Sequence, residues 1–443
     1  MKKSLLLVLG VPLWGQDSLS LRQAVQLALQ ENKAIAATNA SARASTARIE
    51  EARSGRLPKL NYSESFVRSD NPVFVFSSLL TQHQFGIENF NIGPLNRPGS
   101  INNFQSVLSM DQPLYDAGQT RNAVKSADLS RQVTAEEQRR TGMQVISGVV
   151  GAYYGAVLAA ESLKTAEQAL RSAEADLKRA ESVRAAGMST DVDVLSIRVH
   201  LAAVTEQRIQ RAADLEVAKS ALNDALGRPL DARHTLTSAL SPLDLPDMEL
   251  ASLEHDASAT RPEARETRLA ADMAKTQSDA ARSSLLPQVG FHAAFEADRQ
   301  QFINKGGANW LASIGLHWNL FNGNGDKARI EESSHWLERA RADEQRVDSA
   351  VRLEVRRAWA NLRAAEQRIE VAKAAVAEAD ESLRITQNRY EAGMSNVTDL
   401  LRNETAVLES HTRYLAAVHD QRIAATMLEL AAGRLSPDSE VLN

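Results

Sequence analysis

The 443-residue chain has no cysteine. This excludes disulfides, thiolate metal sites and a lipid-modified N-terminal cysteine. It also lacks a basic excess: a formal net charge of −5 and a pI near 6.1 argue against a nucleic-acid partner. Aromatic residues make up 5% against 24% charged, and Ala, Glu, Arg and Leu are plentiful, which suits long helices packed through narrow seams. No run past the N-terminus is read as reaching the ~18 apolar residues of a membrane-spanning helix. Any part of the chain that enters a bilayer is therefore expected to do so as strands. Proline is missing throughout Gln119 to Ala186, and a helix of that length would be about 100 Å long, more than an ordinary globular domain accommodates.

What is present begins with Met1-Lys2-Lys3 and apolar Leu5 to Leu13. The pattern fits a secretory signal peptide, with cleavage expected after Gly15. Ser20-Leu21-Arg22-Gln23 reads as a capping box opening a helix to about Ser54, which Leu57-Pro58 ends. Leu60, Tyr62 and Phe66 then alternate with Asn61, Ser63 and Ser65, the period of a strand with one apolar face. A loop from Ser69 to about Asn103 precedes a second, weaker alternation at Phe104, Leu108 and Met110. In the proline-free stretch, Leu163, Ala166, Leu170, Ala173, Leu177 and Ala180 form a seam of heptad period.

The chain then repeats itself. Ala186-Gly187-Met188-Ser189-Thr190-Asp191-Val192-Asp193 returns as Ala392-Gly393-Met394-Ser395-Asn396-Val397-Thr398-Asp399, an offset of 393 − 187 = 206. The same offset relates Leu114-Tyr115-Asp116 to Leu320-Phe321-Asn322 and Gly227 to Gly433, and the seam recurs at Ile369, Ala372, Val376, Ala379 and Leu383. Nearer the start the offset is 286 − 57 = 229, so the first half carries 23 extra residues between its strands. A register shared over some 200 residues indicates duplication. The expected organisation is a signal peptide (1–15), a first repeat (16–227), a Pro-containing linker (228–248), a second repeat (249–434) and a tail (435–443).

Each Gly tip reads as a tight helix–helix turn. Gly187 and Gly393 accept the left-handed conformation that ends a helix. Thr190 and Asn396 are N-caps, with Asp193 and Asp399 in the third helical position. In the second repeat, Val289, Phe291, Ala293 and Phe295 form the apolar face of one strand and Trp310, Ala312, Ile314, Leu316, Trp318 and Leu320 that of the next. Trp310 and Trp318 are about 26 Å apart along a strand, close to the height of an outer-membrane apolar band with its aromatic girdles.

No catalytic constellation is visible, and neither a cofactor nor a metal is expected. Gly323-Asn324-Gly325 imitates a dinucleotide-binding turn, but its counterpart Ala117-Gly118-Gln119 lacks the motif and the preceding strand alternates. His411 and His419 lie two helical turns apart, too far to share a metal. Gly148, Gly151 and Gly155 put small residues along one helix face, which suggests a bend.

The order of helix, Leu-Pro strand, loop, strand, Leu-[Phe/Tyr]-x-x-Gly turn, long helix, Gly tip and helix, all repeated, resembles the TolC-like outer-membrane efflux family over nearly the whole mature chain. The resemblance implies a mainly α fold with a small β part. Duplicated antiparallel hairpins would form a periplasmic α-barrel, and four strands per protomer would join a shared, trimeric twelve-stranded transmembrane barrel. It also implies a channel, not an enzyme, serving efflux or type I secretion together with a periplasmic adaptor (membrane fusion protein) and an inner-membrane transporter. Asp193 and Asp399 match the family's tip aspartates, and Tyr390 its gate tyrosine. Arg402 and Ser196 stand where the family often carries a second acid. The resemblance also implies close helix packing at Gly148, Gly151 and Gly155, in place of a bend. Gly187, Met188, Ser189, Gly393, Met394 and Ser395 would meet the adaptor, with exposed methionines suited to helix-in-groove contacts. The alternative of another class is a trimeric coiled-coil structural or adhesive protein with no pore, which four amphipathic strands disfavour.

Overall fold

The computed structural model describes residues 17–187, 189–246, 248–303 and 305–443; the expected signal peptide and Met188 lie outside them. The elements in chain order are β1 (Asp17–Leu19), α1 (Leu21–Glu31), α2 (Lys33–Arg53), β2 (Lys59–Ser69), α3 (Pro72–Thr81), α4 (Ile92–Asn96) and β3 (Ile101–Tyr115). Then come α5 (Gln119–Ala185), α6 (Asp191–Leu226), β4 (His234–Leu236), α7 (Leu250–Thr260), α8 (Pro262–Ser283), β5 (Gln288–Arg299), β6 (Gly306–His317), α9 (Gly325–Glu391) and α10 (Val397–Ala431). The duplication is reproduced closely: α5 and α9 are both 67 residues long and start 206 apart, 325 − 119.

One departure from the sequence reading is a break in the first helix. Asn32 adopts an extended backbone between α1 and α2, and its side-chain oxygen accepts from Ala34 N at 2.8 Å. The expected single helix to Ser54 is therefore two. The twin position, 32 + 229, is Arg261, also extended, and the Pro262 that follows it disfavours helix there.

The chain divides into two compact units. The first comprises residues 17–41, 134–267 and 344–443. Its core is built from α1, the middle of α5 and α9, the ends of α6 and α10, and α7. Leu21, Val25, Val149, Val150, Tyr153, Leu226 and Leu428 are buried in it. This explains a feature the composition reading passed over. A stretch of α5 is long and apolar enough to cross a membrane, but Val149, Val150, Tyr153 and Tyr154 in that helix belong to this core. Gly148, Gly151 and Gly155 lie along the same helix, and a Cβ at any of them would meet nothing within 4 Å. The close packing expected there does not occur within the protomer.

The segment expected as a linker is tied into this unit. β4 pairs in parallel with β1, a sheet the sequence did not suggest. Tyr153 Oη donates to Leu19 O at 2.8 Å and accepts from Ser238 N at 2.9 Å. Gln421 holds both N and O of Leu243, and Arg422 Nε donates to Ser241 O at 2.9 Å. The tail follows suit, with Val441 and Leu442 buried.

The second unit, residues 42–133 and 268–343, holds an antiparallel sheet of order β2-β3-β5-β6. The registers Tyr62↔Leu108, Leu108↔Phe295 and Phe295↔Trp310 put the predicted apolar residues of all four strands on one face. Leu60, Tyr62, Phe66, Leu108, Phe295, Trp310, Ile314 and Leu316 are exposed there. A soluble monomer rarely exposes an apolar patch above a few hundred Å², so such a face needs lipid or protein against it. The first inter-strand loop is not irregular. Asn71 caps α3 through Val73 N and Phe74 N. Buried Gln82 donates to Asn102 O and Asn103 Oδ1 at 2.9 and 2.8 Å, and Asn309 Nδ2 donates to Thr81 O. Asn103 and Asn309 lie on the polar face of the sheet, so the insert rests there.

Candidate functional site

The site to examine is the pair of hairpin tips in the first unit. Both glycines take the predicted left-handed conformation, Gly187 at φ +77° and Gly393 at φ +73°. Met394 N bonds back to Arg389 O at 2.8 Å, the six-residue closure of a Schellman-type helix end. Below the last helical turns a small core joins both hairpins. Ala180, Val194, Ile197 and Val397 are buried in it, with Leu177, Tyr390 and Leu401 packed against them.

The two tip acids differ in their bonding. Asp193 Oδ2 accepts from Ser189 Oγ at 3.0 Å, Thr190 N at 3.1 Å and Thr190 Oγ1 at 2.8 Å, while Asp193 N bonds back to Thr190 Oγ1. This is a complete capping box. The Thr190 backbone N–H first, and then the hydroxyls of Thr190 and Ser189, hold the Asp193 carboxyl below the usual aspartate range. Asp399 donates its N–H to Asn396 Oδ1 at 2.8 Å, but among the described residues its carboxylate accepts only from Ser395 Oγ, at 3.4 Å. The first acid is occupied by its cap, and the second is largely uncommitted.

Tyr390 is half-buried in the tip core. Burial first, and then the charges of Asp193 and Asp176, raise its phenol above the ordinary value. Arg402 is exposed, one turn along α10 from Asp399. Exposed Met394 and partly covered Ser395 lie at the second tip surface. Arg179 of α5 spans the two hairpins to Glu391 at 3.0 Å. The structure thus brings Asp193, Tyr390 and the two turns together. Of the expected girdle residues, Trp310 is 80% exposed on the apolar face of β6. Trp318 lies one residue past the end of that strand, and its Nε1 donates to Leu285 O at 3.0 Å.

Sequence reading missed a buried polar cluster about three helical turns from the tips. Asp176 (α5), His200 (α6) and Glu404 (α10) meet there, with His200 Nε2 at 3.2 Å from Glu404. The only signal available was the placement of Asp176 one residue before a seam leucine.

The other motifs resolve into local turns and side-chain pairs. Ala117 and Gly118 share left-handed backbones with their twins Gly323 and Asn324, so the Gly-x-Gly is one of two equivalent strand-to-helix turns. His411 Nε2 lies 3.1 Å from Asp380 and His419 Nδ1 3.4 Å from Asp420, and among the described residues no group of three or more metal-ligating side chains occurs.

Four amphipathic strands and duplicated long hairpins recur together in known outer-membrane proteins. The profile of the outer membrane efflux protein family matches residues 24–228 and 253–434. Over 345 residues the chain is 28% identical to the protein CyaE of Bordetella pertussis, covering 77% of this chain and 73% of that one. It is 24% identical over 334 residues to the outer membrane efflux protein BepC of Brucella suis, covering 75% and 72%. Among solved structures, the Campylobacter jejuni CmeC outer membrane channel superposes with a TM-score of 0.79 at 16% identity, over 98% of this chain and 92% of that one. The chain belongs to the outer membrane efflux protein family. It is an outer-membrane exit channel for efflux or secretion, with its helical part in the periplasm.

Proposed function

We propose that three copies of the chain form the conducting unit. Four strands from each close a twelve-stranded barrel in outer-membrane lipid, and the hairpins line a periplasmic tunnel that a periplasmic adaptor and an inner-membrane transporter open at the tips. The observation carrying this reading is the sheet itself. β2 and β6 are its edges, and open edges are not tolerated in hydrocarbon, where every unpaired backbone group costs several kcal/mol. The exposed apolar face supplies the lipid contact, with Trp310 and Trp318 as girdle residues.

The conduit is passive. The tips splay, the lumen opens and cargo diffuses outward. In a trimer each tip position becomes a ring of three, and carboxylates around a narrow aqueous lumen attract cations. The weak bonding of Asp399 suits it to that role, while Asp193 is held mainly as a cap. Tyr390 packs the closed end, and Arg402 weakens the cation preference by placing positive charge one turn away. The turn residues Gly393, Met394 and Ser395, with Gly187, Met188 and Ser189 of the first tip, form the adaptor's docking surface. The purified protein in planar bilayers should give discrete single-channel steps. A protein that trimerises without producing steps would be the pore-less rod instead.

A further inference from the structure

The cluster next to the tips has a property that tip capping and ring charge do not account for. The Asp176 side chain is only 4% exposed, and its Oδ2 meets no donor among the described residues. Glu404 is also buried, and Ser172, one turn before Asp176 on α5, donates to it, so the two carboxyls are neighbours and act on each other. Two buried carboxylates in contact cannot both stay charged without a large desolvation and repulsion cost, so one of them keeps a proton.

The groups facing the pair come from all four helices. Arg179 of α5 reaches Asp176 Oδ1 at 3.4 Å, although it is half-exposed and shared with Glu391 of α9. Ser172 Oγ of α5 donates to Glu404 Oε1 at 3.3 Å. His200 of α6 pairs with Glu404 Oε2, and Tyr390 of α9 and Asp193 of α6 lie on the tip side. The Asp380–His411 pair, from α9 and α10, lines the same ~400 Å³ cavity as His200 and Glu404. Two of these groups favour a negative Glu404, and only a half-exposed arginine favours a negative Asp176, so the proton resides on Asp176.

We propose that Asp176 donates this proton to Glu404 and so latches the first hairpin to the second just above the tips, and that the latch holds at acidic pH and releases as the pH rises. The proposal rests on the tip-gate reading and adds a regulator to it. Burial first, and then Glu404, push the Asp176 carboxyl up to about 7. Burial opposes the ionisation of Glu404, but bonds from His200 and Asp176 outweigh it and hold its carboxyl low. A raised acid binds its proton more tightly when folded, so its share of the latch is complete in acid and lost as pH rises through about 7. The latch is single. The duplication puts Ser382 at the twin of Asp176, Arg198 at the twin of Glu404 and Ala406 at the twin of His200.

Two readouts on the purified full-length protein test this. The infrared spectrum at pH 6 should contain a protonated-carboxyl band that Asp176→Asn removes; its absence from the wild-type protein overturns the shared proton. In planar bilayers the wild-type open probability should rise on the order of tenfold between pH 6 and pH 8, the bias that one unit of differential protonation supplies. Asp176→Asn, a near-isostere of the protonated acid, should stay at the low-pH level throughout. A variant that keeps the full pH response overturns the latch as a regulator. If no channel steps appear at all, the channel reading fails, and the infrared band still decides whether the proton is shared.

Discussion

The two hairpin tips are copies of one motif that have come to do different work. In the first, a threonine cap and its third-position aspartate satisfy each other, and a serine hydroxyl completes the shell around Asp193. In the second, asparagine caps the helix with its side-chain carbonyl oxygen, and among the described residues the Asp399 carboxylate has one long contact. The neighbours differ too: Tyr390 packs into the shared core, and its twin is Arg184, paired with Asp191 at 3.1 Å on the surface. Duplication supplies two geometrically equivalent sites, and small changes in cap chemistry decide which acid is bound into its cap and which is left weakly bonded, as the proposed ion-facing role of Asp399 requires.

Loss of the shared core would erase the distinction, and it carries the largest expected effect. Ile197 is fully buried between the hairpins, so Ile197→Ala should cost about 3 kcal/mol locally. Hydrogen exchange should then speed up at the amides of both tips; acceleration at the first alone would mean the tips are independent. Next come the turns. Gly187→Ala and Gly393→Ala each force a Cβ into a left-handed backbone, at about 1–2 kcal/mol, and nothing crowds either site. Thermal unfolding should show equal losses, and unequal ones would reveal a neighbour contact at one tip.

The acids sharpen the comparison further. Asp193→Ala breaks a reciprocal cap and should cost about 1 kcal/mol, whereas Asp399→Ala leaves the Asn396 cap in place and should cost a few tenths. Conductance and cation block should respond in the opposite order, with Asp399→Ala the more affected. A channel unchanged by Asp399→Ala would reduce both acids to caps.

The smallest effect is one of pH. Because the Asp193 carboxyl is held low by its cap bonds, its contribution is present above the ordinary aspartate range and is lost as pH falls through its lowered value. Below about pH 4 the first tip should fray, read as faster exchange at the Thr190 and Asp193 amides.

Much of this architecture was legible in the sequence because it repeats. The proline-free span and its copy 206 residues later gave α5 and α9, and the Leu-Pro alternations gave β2 and β5. Elements without a copy or a period stayed hidden. β1 and β4 are three residues each and pair across more than 200 positions. The α3 insert lies in the 23 residues the second repeat lacks, where Asn and Pro read as loop although Asn71-Pro72 is a helix start. Asp176, His200 and Glu404 come from three helices with no twin of their chemistry, so only packing brings them together. Of the site itself, the turns and caps were local and readable, but the unequal occupation of Asp193 and Asp399 depended on which hydroxyl points where.

The open edges of β2 and β6 have a consequence for inheritance. In the proposed ring of three, each subunit's β2 edge would pair with its neighbour's β6, so one subunit with a proline in an edge strand would disable an assembly containing two sound ones. If half of the subunits carry such a lesion and mix at random, only about one trimer in eight is intact. Edge-strand mutations in this chain should therefore be dominant negative, and equally severe lesions that lower only the supply of folded protomer should be recessive.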